Sequence, residues 1–269
     1  MQFLNYTPFA ALGWVTTDPQ ENRYVSIVVS VKFKFDYLDD TGLWHLKFDI
    51  EQGELQYQDS FFNEKKRLVR REAELTPFKK QGELIVNLSH EVDHYGKSGV
   101  DVIRYYSPSE KKKLLSYRST SNLGFVHRAH ASRMKYVGTA NQEWIEKHAP
   151  KYPKDFNELY YNAAHPKLQL PMTYFQPGDM IVLDKFLPGI HRQTVMIPGI
   201  YLKATNTDAG RDYTTLLEAD TVFFDIEALD IEKNALYISY RKRILTTQKP
   251  TEVSLTMMLE EEFIEKRSA

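Results

Sequence analysis

Residues 25–37 read VSIVVSVKFKFDY, and this stretch decides the fold class. Val29, Val31, Phe33 and Phe35 alternate with Ser30, Lys32 and Lys34, the period of two that a strand with one apolar face requires. Turn chemistry follows in Leu38-Asp39-Asp40-Thr41-Gly42, and residues 43–48, LWHLKF, supply a partner, so a hairpin is predicted. Working outward, strands are predicted over residues 83–88, 99–106, 180–183, 194–197, 200–203, 220–227 and 235–240, with a turn at 229–234. The 15 Phe, 17 Tyr and 3 Trp, 13% of the chain, tilt it further toward pleated surfaces. The expected fold is mainly β, with antiparallel sheets arranged as a sandwich or as two lobes.

Helical patterns are few. Residues 141–148, NQEWIEKH, start on an Asn cap and stop before Pro150, and residues 155–164 form a second short candidate capped by Asp155. Beyond Pro250, Leu255, Met258, Leu259 and Phe263 recur at helical spacing, which predicts an amphipathic C-terminal helix over 251–269. Without repeats or low-complexity linkers, residues 1–250 read as one continuous β-rich domain, a division into 1–118 and 119–250 being its alternative.

Composition narrows the chemistry. With no cysteine among 269 residues, disulfides, thiolate metal sites and cysteine nucleophiles are excluded. A net charge of −1 argues against a general nucleic-acid binder, and the chain holds no apolar run long enough for a membrane-spanning helix. The N-terminus has no basic leader, so a cytoplasmic location is expected. The charge is not spread evenly: residues 1–60 and 168–269 are net acidic, while 61–167 are net basic.

Phosphate loops, dinucleotide fingerprints, zincin helices and nucleophile elbows are all missing from the sequence. His127 and His130, and His90 and His94, have spacings a metal could use on a helix, but they sit in turn-like or arginine-rich surroundings. Asp179 with Asp184, and Asp220 with Asp225, read as solvated turn and edge positions. Asp220 and Asp225, an odd number apart, are expected on opposite faces of one strand. The basic run at residues 65–71, KKRLVRR, is a solvated face or an edge guard, or else the surface that meets a protein partner through Arg67, Arg70 and Arg71. No catalytic residue, cofactor or metal is expected.

Residues 123–162 carry an ordered set of motifs: Arg133, then Gly138-Thr139, Trp144 five residues after that Thr, Pro153 ahead of Asp155-Phe156, and Asn162-Ala163. With Glu74-Leu75-Thr76-Pro77-Phe78-Lys79 upstream, and Gly178-Asp179, Pro198-Gly199, Asp220-Thr221-Val222 and residues 236–241 downstream, the chain over roughly residues 20–243 resembles a bacterial family. That family is a domain of unknown function whose members act as type VI secretion adaptors or chaperones encoded beside VgrG spike and PAAR or PAAR-like proteins. The chain departs from it at Ala140-Asn141, where the family has Tyr-Asp, and in a shortened segment at 116–124. The resemblance implies a non-enzymatic adaptor that binds an effector or its PAAR-like tip and helps load it onto VgrG. Read from the residues alone, Gly138, Trp144, Phe156 and Asp155 have structural roles available, and Arg133 could pair with Asp155. Two other readings stay open: an enzyme whose site assembles only in the fold, and a structural part of a contractile apparatus.

Overall fold

The computed structural model describes residues 1–63, 65, 68–88, 101–108, 112–119, 123–140, 142–148, 151–171, 173–187, 190–208, 211–226, 231–246 and 252–260. Among them run β1 (Gln2–Asn5), β2 (Ala10–Thr17), β3 (Arg23–Leu38), β4 (Leu43–Phe48), β5 (Ser60–Asn63), β6 (Leu68–Arg71), β7 (Glu83–Leu88), β8 (Asp101–Ser107) and β9 (Lys112–Ser119). Two short helices follow, α1 (Ala131–Met134) and α2 (Gln142–His148). Then come β10 (Met180–Leu187), β11 (Ile190–Met196), β12 (Leu202–Asp208), β13 (Arg211–Leu216), β14 (Glu218–Ile226), β15 (Ala235–Leu245) and β16 (Glu252–Met257). The fold is mainly β, as the alternation predicts.

A ten-stranded sheet runs β7-β14-β15-β3-β4-β11-β10-β8-β9, with β2 added on β3. Its spine is β3, 16 residues long, which pairs with β15 along one edge from Tyr24 to Lys34. The other edge is shared end to end. Strand β2 takes residues 23–30 and β4 takes 33–38. In the gap between them the Gln52 carboxamide meets both the N–H and the C=O of Lys32, at 2.9 Å each, so the backbone is satisfied where neither strand reaches. A four-stranded sheet, β1-β16-β12-β13, and the β5–β6 ribbon complete the set. Most pairings are antiparallel, but β7 on β14, β4 on β11 and β1 on β16 are parallel.

One face of the large sheet is apolar. Cross-strand partners share a face, so Val29, Val31 and Phe33 stand beside Tyr240, Ile238 and Leu236, then Val222 and Phe224, then Leu84 and Val86. These join Ile181 and Val195 from the far limb, and Leu202, Ala204, Val253 and Leu255 from the smaller sheet, in one core. The sheets approach closely at Gly13, where any Cβ would fall on the Phe3 ring.

Several expectations are corrected. Glu252–Met257 is a strand, not the start of a helix: Val253 and Leu255 are buried while Ser254 and Thr256 are partly exposed, the period-two pattern that β1 and β12 can both pair with. The rest of the tail, from 261, lies outside the described residues. The helix expected at 155–164 is a short 3-10 turn, Glu158–Tyr161, capped by Asn157 rather than Asp155. A bulge changes the parity of β14. Ala219 pairs with Tyr240 and Thr221 with Ser239, leaving Asp220 as an extra residue. Asp220 and Asp225 therefore both turn from the apolar face, where Asp220 meets Arg241 and Asp225 lies 3.8 Å from Arg70.

Candidate functional site

The second face of the same sheet is buried too: Ile85 and Phe223 pack with Phe125, and beside them lies a charged layer. Its centre is Glu83 at the start of β7, which has no exposed surface. One carboxylate oxygen accepts from the Lys79 ammonium, and the other accepts from the backbone N–H of Ala163 (2.6 Å) and Ala164 (2.9 Å) and from the Asn162 amide (3.3 Å). Burial alone pushes a carboxyl upward, but the Lys79 cation and the Ala164 N–H outweigh it, and Glu83 is held below the ordinary carboxylate range. Lys79 reaches onward to the Thr221 hydroxyl at 2.9 Å, and Thr221 donates to Asp220 at 2.8 Å.

Asp220 completes the chain on Arg241, whose remaining donors reach the carbonyls of Thr76 (3.1 Å) and Glu74 (3.0 Å). Here burial wins over Arg241 and Lys79, and the Asp220 carboxyl is raised. Its Oδ2 has no hydrogen-bond partner among the described residues. Nearby, Glu74 accepts from Gln56 N–H (2.8 Å), Arg71 (3.1 Å) and Ser239 (3.2 Å), and is lowered because the Arg71 cation and the Gln56 N–H offset its burial.

Arg133 ties in the irregular segment that carries the helices. Only 3% exposed, it grips Glu72 with two parallel bonds, 3.0 and 2.9 Å, and donates to the carbonyls of Val126 (2.8 Å) and Tyr160 (3.0 Å). Such a fork-to-carboxylate pair needs arginine. Glu72 also takes Arg128 at 3.0 Å, and Arg128 holds Asp59. The same segment closes the outer edge of β7 through Val86 N–H on Leu123 O and Leu170 N–H on Gly82 O.

The remaining motif residues are structural parts of this cover. Arg133 and Asp155 do not pair. Asp155 instead accepts from the Thr139 N–H (3.1 Å) and hydroxyl (3.0 Å), and those bonds lower its carboxyl. Gly138 makes that clip possible, with φ +67 and a position where a Cβ would lie 2.5 Å from Asp155 Oδ1. Phe156 is buried in a cluster with Tyr152, Tyr160 and Tyr161, just after the buried Pro153. Trp144, half-buried, donates to Lys151 O at 3.2 Å and leans on His148. Asn162 is fully buried.

Of the basic run, Lys66 and Arg67 lie outside the described residues. Arg70 is exposed over the Phe62 ring, whereas Arg71 is turned inward, 4.2 Å above the Tyr237 ring and bound to Glu74. The sequence reading misses the lattice because its members look like ordinary surface charge. Asp179 and Asp220, expected in solvent, are each 1% exposed; Tyr105 donates to Asp179 and Arg241 to Asp220. A spacing signal existed in Lys79 and Glu83, four apart beside a predicted strand, yet nothing local says that Thr221 and Arg241 will cover them. His90 and His94 lie outside the described residues, and among the described residues no three His, Asp or Glu side chains converge as a metal site.

Chemically this face is closed. Glu83 is held by Lys79 and backbone N–H groups, Glu72 by arginines and Asp220 by Arg241, all nearly out of solvent, and these bonds fasten loops onto the sheet. No helix among the described residues is long and apolar enough to cross a membrane. No curated protein and no solved structure matches the chain. Residues 109–236, which include Arg133, Gly138, Asp155, Asn162 and Asp220, match the model of a family described as an uncharacterized protein conserved in bacteria (DUF2169).

Proposed function

We propose that this chain is a cytoplasmic, non-enzymatic adaptor that binds a type VI secretion effector, or its PAAR-like tip domain, and assists its loading onto the VgrG spike. The observation that carries the reading is the ordered motif set from Arg133 to Asn162 lying inside a segment that matches a bacterial family of uncharacterized proteins. The geometry supports binding over catalysis. The family-motif residues hold a cover onto a sheet, and the carboxylates Glu72, Glu83 and Asp220 are nearly buried and bound to cations or backbone N–H groups. What faces outward is open strand edge and aromatic surface, the means by which β proteins hold extended partners. An adaptor needs affinity for one state of its client and no reaction centre.

The test is recovery of the tagged chain from its native host. Co-purification of an effector with a PAAR-like domain, or of VgrG, is the expected result. Absence of every secretion component, together with turnover of a small substrate, would overturn the reading. Permanent retention in an assembled particle would assign the chain to the apparatus itself.

A further inference from the structure

Open sheet edges are hazards that proteins guard with charge, proline, brevity or cover. Among the described residues the sheet edges follow that rule with one exception. Strand β9 carries Lys112, Lys113 and Arg118, and β13 carries Arg211 and Asp212. Strand β1 has four residues, and β7 is covered by Leu123 and Gln169. Strand β2, AALGWVTT, has eight residues with neither charge nor proline. It pairs with β3 alone, and among the described residues no other backbone group bonds to Ala10–Thr17. Its side chains are half-buried to exposed, with Val15 at 39%.

The surroundings say what fits. The start of β2 abuts the end of β4, where Phe9 stacks on Phe48 at 5.8 Å and Phe48 keeps half its surface in solvent. Two residues on, Ile50 is 99% exposed, the most exposed large apolar side chain described. Glu51 and Glu54, both exposed, follow it; the nearby cations Lys32 and Lys34 are engaged by Asp49. An uncharged edge, then an apolar step, then an acidic rim calls for a matching sequence in the partner. A segment with a basic end would complement this acidic rim.

We propose that β2 takes an added strand: an extended segment of the secretion partner, uncharged where it lies along β2, whose apolar residues cover Phe48 and Ile50 and whose basic end meets Glu51 and Glu54. This rests on the adaptor reading and specifies its contact surface. Backbone bonds to β2 would supply affinity, and the Phe48–Ile50 step would set register.

The experiment uses the full-length chain with the secretion protein that co-purifies with it. Amide exchange at residues 10–17 should slow about tenfold or more in the complex relative to the free chain. Val15→Lys and Ile50→Glu, both at exposed side chains, should each reduce capture of that protein about tenfold while leaving the melting temperature unchanged. If the protein is captured but exchange at 10–17 and both variants are unaffected, the strand-addition proposal is overturned and the adaptor reading stands. If no effector, PAAR-like protein or VgrG is captured, both fall. If residues 10–17 are protected without a partner and the free chain sediments as a dimer, the occupant is a second copy and the proposal is wrong.

Discussion

The two faces of the β3-β15-β14-β7 sheet are buried to a similar degree by opposite means. On one, Val29, Ile238, Val222 and Leu84 pack as a continuous apolar layer with no exposed surface beyond 1%. On the other, Glu83, Thr221, Ser239 and Arg241 lie at the same depth but are held by ions and hydrogen bonds. The apolar layer tolerates rearrangement, since its attractions are non-directional. The ionic layer does not: each partner removed strands a charge where water cannot reach it. The first face makes the fold stable, and the second fixes which loops lie on it.

The contrast can be broken most forcefully at Lys79. Lys79→Met leaves Glu83 buried without its cation and should cost about 3–5 kcal/mol in chemical denaturation. Adding Glu83→Gln should recover part of that loss, because the amide still accepts from Ala163 and Ala164. Were Lys79→Met no worse than a deleted methyl group, the lattice would not be a charged one. Ile238→Val, on the apolar face, is expected to cost only about 0.5–1.5 kcal/mol in the same assay. Gly138→Ala strains the Asp155 clip and should cost about 1–3 kcal/mol, with lost exchange protection confined to the irregular segment.

Acidity separates two carboxylates within the ionic face. Glu83 is lowered in the folded chain, so its stabilisation is present above the ordinary glutamate value and is lost as pH falls toward its folded value. Asp220 is raised, so its contribution has the opposite sign: it favours folding at low pH and fades as pH rises through the folded value. Melting temperature against pH should accordingly fall less steeply on acidification in Glu83→Gln than in the parent, and more steeply in Asp220→Asn. The smallest expected effect is at the basic ribbon. Arg70→Glu should change stability by less than about 0.5 kcal/mol, whereas Arg71→Glu, which faces Glu74 and Tyr237, should be clearly destabilising in the same measurement.

The apolar face was legible in the sequence because it is written locally. Alternation in β3 and the boundaries of β4 and β7 can be read from a dozen residues at a time. The small, polar or mixed residues of β2, β13 and β16 carry little contrast in the sequence, and β16 also imitates a helical stripe through Leu255, Met258 and Leu259. The ionic face was not legible because its partners are distant in the chain: Arg133 with Glu72, Arg241 with the Thr76 carbonyl. Parity arguments failed at Asp220 for a different reason, since a bulge inserts one residue that hydrophobic period cannot register. Asp155 reads in the sequence as a helix cap, and nothing local to Gly138 or Asp155 shows that the two meet.

The parallel seat of β7 on β14 has a consequence in time as well as in space. Lys79 finds the Thr221 hydroxyl 142 residues further along the chain, so during synthesis the charges of residues 72–83 remain hydrated until most of the protein has emerged. Contacts of such long loop length close late and slowly. The first half of the chain therefore emerges with its apolar hairpin ready while Lys79 and Glu83 still lack the Thr221 side of their cover. The last third of the chain, arriving with β14 and β15, acts as the latch that dries them.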